Sequence, residues 1–92
     1  MKLRFEWDEK KNAVNIMKHG VSFEEAAIVF KDPKRIEIYD KKHSFIEDRW
    51  ITVGITASTV LTVVFTERNG FIRIISACKA LKKEIWRYLN GY

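Results

Sequence analysis

Ninety-two residues with a formal net charge of +5 suit one domain, 1–92, long enough to bury a core without cross-links. With 47% apolar residues and no low-complexity tract the chain is globular, not disordered, and no apolar run approaches membrane-spanning length. The basic balance favours a polyanion or an acidic protein as partner, and a single cysteine, Cys78, excludes an intrachain disulfide.

The first residues, Met1-Lys-Leu-Arg-Phe-Glu-Trp7, carry charges where a secretion signal needs an apolar segment, so a cytoplasmic location is expected. Lys2 to Glu6 alternates, with Leu3 and Phe5 on one side, and predicts a short strand. Asp8 caps a helix running to about Lys18, with Val14, Ile16, Met17 and Ala13 as its apolar stripe. Its expected outer face carries Glu9, Lys10, Lys11, Asn12 and Asn15, and Gly20 ends it. Ser22-Phe-Glu-Glu25 is a capping box that opens a second helix, which holds Phe23, Ala26, Ala27, Val29 and Phe30 and stops at Asp32-Pro33.

Arg35 to Asp40 alternates as a strand with Ile36 and Ile38 inward. A polar loop, Lys41 to Phe45, follows, and its His43 carries little functional weight. Arg49 to Thr56 alternates again, with Ile51, Val53 and Ile55 expected inward. A three-residue turn at Ala57-Ser58-Thr59 sets those residues against Phe65, Val63 and Leu61, and puts Trp50 opposite Thr66 on the outer face, beside Arg73.

Asn69-Gly70, between two runs rich in Val, Ile, Phe and Thr, is the strongest local signal: a two-residue hairpin turn. It pairs Arg68 with Phe71, Glu67 with Ile72, Thr66 with Arg73 and Phe65 with Ile74. Leu61, Val63, Phe65, Ile72 and Ile74 then form a core face. Thr62, Thr66, Arg68 and Arg73 turn the other way, with Val64 and Ile75 further along. The last segment, Lys79 to Asn90, has helical spacing and closes at Gly91. The expected class is α+β in the order β-α-α-β-β-β-β-α, with two helices packed on one face of an antiparallel sheet.

Two arginines diagonally adjacent on one face repel each other unless an anion lies between them, so Arg68 and Arg73 suggest a phosphate grip. Trp50 at the edge of that face offers a surface for stacking a base, and Lys18 and Arg49 add cations. Cleavage of RNA without a metal needs a base for the 2′-hydroxyl, cations for the phosphate and an acid for the leaving oxygen. His19, Glu47, Lys79 and Tyr88 are the candidate acids and bases, and their roles stay unassigned. Each also has a structural reading: His19 complements a helix dipole, Glu47 and Arg49 form an ion pair, Lys79 is solvated, and Tyr88 docks the last helix. No metal or cofactor is expected, since His19 and His43 stand alone without ligand spacing.

Phe5-Glu-Trp-Asp8, Asn15, Lys18-His-Gly-Val-Ser-Phe-Glu-Glu-Ala26, Phe30-Lys-Asp-Pro33, His43-Ser44, Glu47-Asp-Arg-Trp50, Gly54, Thr66-Glu-Arg68 and Arg73-Ile-Ile-Ser-Ala77 follow in one ordered, correctly spaced series. In these residues the chain resembles the BrnT family, toxins of bacterial type II toxin–antitoxin systems. The resemblance implies a RelE-like ribonuclease fold, metal-independent RNA cleavage that arrests translation, and neutralisation by a BrnA-like ribbon-helix-helix antitoxin. Through that antitoxin the complex would sit on operator DNA. The family's pattern continues Ile-Ser-Ala-Arg, whereas here Cys78 follows Ala77, which implies a toxin of reduced activity. The alternative is a basic module that docks an antitoxin or nucleic acid without turnover.

Overall fold

The computed structural model describes residues 2–57 and 59–91. Five strands, β1 (Phe5–Glu6), β2 (Ile36–Tyr39), β3 (Trp50–Ile55), β4 (Val60–Arg68) and β5 (Phe71–Lys79), form one sheet in the order β1-β5-β4-β3-β2. Three helices, α1 (Glu9–His19), α2 (Phe23–Ile28) and α3 (Lys82–Asn90), accompany it, with short 3-10 turns at Val29–Lys31 and Lys41–His43. The class is α+β. The sheet is mixed and not purely antiparallel, because β1 runs parallel to β5 and pairs Phe5 with Ile72 and Glu6 with Arg73.

The β4–β5 hairpin has the expected register, Arg68 to Phe71 through Phe65 to Ile74. Asn69 (φ 54°) and Gly70 (φ 81°) both take the positive φ that such a turn demands. Beyond Phe65 the ladder shifts: Val64 pairs with Ser76, leaving Ile75 as an extra, bulged residue. The bulge reverses the faces that follow, so Ala77 is buried in the core while Cys78 pairs with Thr62 on the other side. Strand β5 continues to Lys79, and α3 therefore begins at Lys82, later than the spacing predicted.

The β3–β4 register is one residue away from expectation. Trp50 pairs with Phe65, Val53 with Thr62 and Ile55 with Val60, so four residues, 56–59, join the strands instead of three. Ser58, in that predicted turn, lies outside the described residues. Trp50, Thr52 and Gly54 consequently share the face of Phe65, Val63 and Leu61, while Ile51, Val53 and Ile55 face the opposite way. The cause is close approach of the helical layer. A Cβ on Gly54 would stand 2.8 Å from Val29 Cγ1 and 3.0 Å from Arg35 Cβ, so only glycine admits the turn after α2. Thr52 is buried there too and its hydroxyl donates to the Ile36 carbonyl at 2.9 Å.

Val21, Phe23, Ala26, Val29 and Phe30 pack on Leu61, Val63, Phe65, Ile72, Ile74 and Ala77 as the main core. Phe30 meets Phe5 and Phe65 edge-on, at 5.2 Å and 4.9 Å between centroids. The other face is not bare at both ends. Helix α3 packs against β3, and Ile36, Ile38, Ile51 and Val53 line a cavity of about 260 Å³ beneath its Lys83, Glu84 and Arg87. Glu84 accepts hydrogen bonds from Leu81 N (2.7 Å) and Thr62 Oγ1 (3.0 Å), and Tyr88 donates to Asp32 Oδ2 at 2.5 Å.

Helix α1 also differs from its pattern. Its buried residues are Asn12 and Asn15, while Val14, Ile16 and Met17 are exposed. Strand β1 ends at Glu6, and further along β5 the amide of Asn15 takes over the strand's pairing. Asn15 Nδ2 donates to the Ala77 carbonyl at 2.7 Å and Oδ1 accepts from Ala77 N at 3.1 Å. An apolar side chain at position 15 could do neither.

Candidate active site

Arg68 and Arg73 occupy the face turned away from α1 and α2, at the hairpin end that α3 leaves uncovered. Each guanidinium already meets a carboxylate: Arg73 Nη1 lies 3.1 Å from Glu6 Oε2, and Arg68 Nη2 lies 2.8 Å from Glu47 Oε1. Parallel pairing of β1 brings Glu6 to Arg73. It also sets Arg4 over the ring of Phe71, 4.7 Å from its centroid, so a third guanidinium joins this end of the sheet. No sequence signal pointed to Arg4, because its position depends on a strand pairing between distant segments.

The 44–49 loop folds across this end and is held at several points. Thr66 Oγ1 donates to the Asp48 carbonyl at 2.5 Å and Tyr39 donates to Asp48 Oδ1 at 2.8 Å. Ser44 Oγ donates to the Asp40 carbonyl at 2.6 Å and accepts from Arg49 N at 2.9 Å, while Asp40 N donates to the Arg49 carbonyl at 2.8 Å. Fixed this way, the loop walls a cavity of about 380 Å³ lined by His43, Phe45, Ile46, Glu47, Arg49 and Arg68. Glu47 sits between two cations, its Oε2 at 3.8 Å from Arg49 Nη2. Arg49 Nε is buried with no hydrogen-bond partner among the described residues. Phe45 and Ile46 at the rim are 90% and 100% exposed.

Two guanidiniums facing one carboxylate leave the cavity electropositive. An exposed ion pair such as Arg68–Glu47 is worth only ~0–1 kcal/mol, so an incoming phosphate can take Glu47's place on the guanidinium at little cost. Arginine's planar fork suits the exchange, because it offers two parallel donors to either oxyanion. A buried Nε without an acceptor is a further donor for an acceptor oxygen.

Of the residues the sequence singled out, the structure thus gathers Glu47, Arg49 and Arg68 around one cavity, with Arg73 on the same face beside it. Lys18 and His19 lie elsewhere, lining a cavity of about 320 Å³ between α1 and β5 with Lys10, Lys11, Ile75 and Ser76. Lys79 pairs with Leu61 at the far end of β5, on the helical side, and is exposed. Tyr88 is engaged with Asp32, whose hydrogen bond, with burial and the carboxylate's charge, pushes the phenol up to about 12. Trp50 is not beside Arg73. It packs against the core and meets Tyr39 edge-on at 5.0 Å, because the β3 register turns it to the helical side. Cys78 stands half-buried opposite Thr62, where burial and then the Glu84 charge push its thiol up. It lies on the face of Arg68 and Arg73, but Thr62 and Thr66, their partners' positions on β4, are four residues apart, ~13 Å along a strand.

His43, Phe45 and Ile46 are the cavity residues that the sequence did not single out. The available signal for His43 was Asp40 three residues before it; for Phe45 it was a large aromatic in an otherwise polar loop. Among the described residues no group of three or more His, Cys, Asp or Glu side chains could hold a metal ion, and no helix is long and apolar enough to cross a membrane.

A family model described as a ribonuclease toxin, BrnT, of type II toxin–antitoxin system matches residues 7–84, which takes in β2 to β5, α1, α2 and the start of α3. Comparison with curated proteins gives no match. A toxin of this type has an antitoxin as partner and RNA as substrate, and the Arg49–Glu47–Arg68 cavity is electropositive as an RNA site must be. The chain belongs to the BrnT family of ribonuclease toxins from type II toxin–antitoxin systems.

Proposed function

We propose that this chain is a metal-independent endoribonuclease that arrests translation, and that RNA is cut at the cavity between the 44–49 loop and Arg68. The observation that carries the reading is the meeting of Arg49, Arg68 and Glu47 around one opening, with an unpartnered Nε on Arg49. Arg68 and Arg49 hold the scissile phosphate and neutralise the charge that builds on it; Glu47 spaces them before substrate arrives. Arg73 and Arg4 take the neighbouring phosphates of the strand. Phe45 supplies the exposed ring on which a base stacks, the part first given to Trp50. Family membership supports a BrnA-like ribbon-helix-helix antitoxin as the neutralising partner and operator DNA as its target.

Cys78 tempers the activity. An arginine there, as in the family's pattern, would add a cation to the same face; its partner Thr62 lies ~13 Å along β4 from Thr66, so it would hold flanking RNA and not the phosphate being cut. The substitution and the ion-paired state of Arg68 and Arg73 favour a second reading, a basic module that binds RNA or antitoxin without turnover.

Expression of the chain without its antitoxin separates the two. Growth arrest with fragmented RNA, abolished by Arg68→Ala and Arg49→Ala and increased by Cys78→Arg, is the expected result. Intact RNA in arrested cells supports the binding module, and arrest undiminished by either alanine variant moves the site elsewhere.

A further inference from the structure

Asp40 and His43 face each other across the 3-10 turn that precedes the 44–49 loop. The carboxylate holds Nδ1 of the imidazole from both oxygens, at 2.9 Å and 3.1 Å. A carboxylate has no proton to donate, so Nδ1 carries the hydrogen, and Nε2 of the neutral ring keeps a lone pair. The Asp40 side chain is 12% exposed and that of His43 60%, so the carboxylate is the fixed member and the imidazole the accessible one. The turn itself does not need the ring, since His43 N donates to the Asp40 carbonyl at 3.2 Å and Ser44 Oγ to the same oxygen at 2.6 Å.

His43 lines the cavity that Glu47, Arg49 and Arg68 also line, whereas His19 lies in the cavity between α1 and β5. Glu47 has both oxygens turned to guanidiniums, which leaves the imidazole as the group best placed to accept a proton. We propose that His43 is the general base of this site and Asp40 its positioning residue. This inference rests on the cavity being where RNA is cut.

In the step, Nε2 takes the proton of the 2′-hydroxyl as the 2′-oxygen bonds to phosphorus. The bond from phosphorus to the 5′-oxygen breaks, giving a 2′,3′-cyclic phosphate. The departing 5′-oxygen takes a proton from solvent water, and the imidazolium returns its own proton to solvent, so protons balance over the cycle. The charged groups around the ring are Asp40, Lys41 and Lys42 on its own turn, with Glu47, Arg49 and Arg68 across the cavity. A general base acts only in its unprotonated form, so removing the imidazole should remove the acid limb of the rate profile.

The test is single-turnover cleavage of an end-labelled RNA oligonucleotide by the purified chain, compared with His43→Gln, Asp40→Asn and Arg68→Ala across pH 5–9. His43→Gln should cut ~10²–10⁴-fold more slowly, lose the acid limb, and bind the RNA within about twofold of wild type by anisotropy. Asp40→Asn should displace the acid limb with a smaller loss of rate. Far-UV circular dichroism and the melting midpoint show that the variants are folded. Wild-type rate and acid limb in His43→Gln, with activity lost in Arg68→Ala, overturn the proposal and leave the cavity reading standing. Cleavage unchanged in both variants, or absent in wild type, overturns both.

Discussion

Replacing Asn15 tests the most unusual packing in the molecule. Its side chain, on a residue only 6% exposed, makes three hydrogen bonds: Nδ2 to the Val21 carbonyl at 2.8 Å and to the Ala77 carbonyl at 2.7 Å, and Oδ1 from Ala77 N at 3.1 Å. Val21 and Ala77 are each 1% exposed, so their backbone groups have little access to bulk water. A buried group left without a partner costs ~1–3 kcal/mol, and three of them in Asn15→Leu give about 3–6 kcal/mol once partial relaxation is allowed. Asn15→Ala should cost less, about 2–3 kcal/mol, because Asn15 borders an open cavity from which water can reach the vacated space. The order is the reverse of that at an apolar core site, where leucine is better than alanine. Against a total stability of about 5–15 kcal/mol the leucine variant loses roughly a fifth or more, and its midpoint should fall by at least ~12 °C. Urea unfolding followed by tryptophan fluorescence, with the slope m checked for constancy, measures both. A leucine variant as stable as wild type, or more stable than the alanine variant, refutes the idea that this amide stands in for a strand.

Other expectations follow from the same geometry. Gly54→Ala forces its Cβ to within 2.8 Å of Val29 Cγ1 and should cost ~1–3 kcal/mol in urea unfolding, whereas a register with Gly54 facing outward would make it nearly neutral. The Tyr88 phenol, raised to about 12 from 10.0 by its hydrogen bond to Asp32, gives stability that is complete below pH 10 and lost as pH rises through about 12. The difference in stability between wild type and Tyr88→Phe should therefore shrink over that alkaline range, and absorbance at 295 nm should show one phenol titrating late. Asp32 is shifted the other way: burial opposes its charge, but hydrogen bonds from Tyr88, Ile55 N and Lys34 N outweigh it and lower its pKa below 3.8. Its contribution is thus present above the unfolded value and lost as pH falls through the folded one, and Asp32→Asn should flatten the acid limb of wild-type stability. Raising salt should weaken RNA binding by wild type more steeply than by Arg49→Ala, since each phosphate contact removed lowers the salt slope by about one.

Local chemistry was legible in the sequence wherever one residue decides the backbone. Asp8 accepts from Lys10 N and Lys11 N at the first helix, Ser22 from Glu25 N at the second, and Gly20 and Gly91 end helices in the left-handed conformation. Arg68 and Arg73 share a face because Asn69-Gly70 sets that ladder. The β3 register was not legible, because alternation identifies two faces without saying which lies under the main helical layer. Here both are covered, so Ile51 and Val53 are apolar for the sake of α3 while Gly54 makes room for Val29. Asn12 and Asn15 defeated the periodicity argument in the same way: their burial answers to backbone groups on other segments. His43 was invisible as a site residue because its value lies in a loop that brings Arg49 and Arg68 to it.

Ile75 has a reach out of proportion to its size. Were Ile75 drawn into the ladder opposite Val64 instead of bulging, the alternation set by the turn would carry Cys78 inward, beneath α1 and α2, and would swing Ala77 out to solvent. Whether position 78 can address a nucleic acid at all is therefore decided three residues upstream. Deleting Ile75 would only make the ladder regular and leave Cys78 facing outward, whereas one residue added to the ladder after Ser76 would turn it inward with every charged side chain intact.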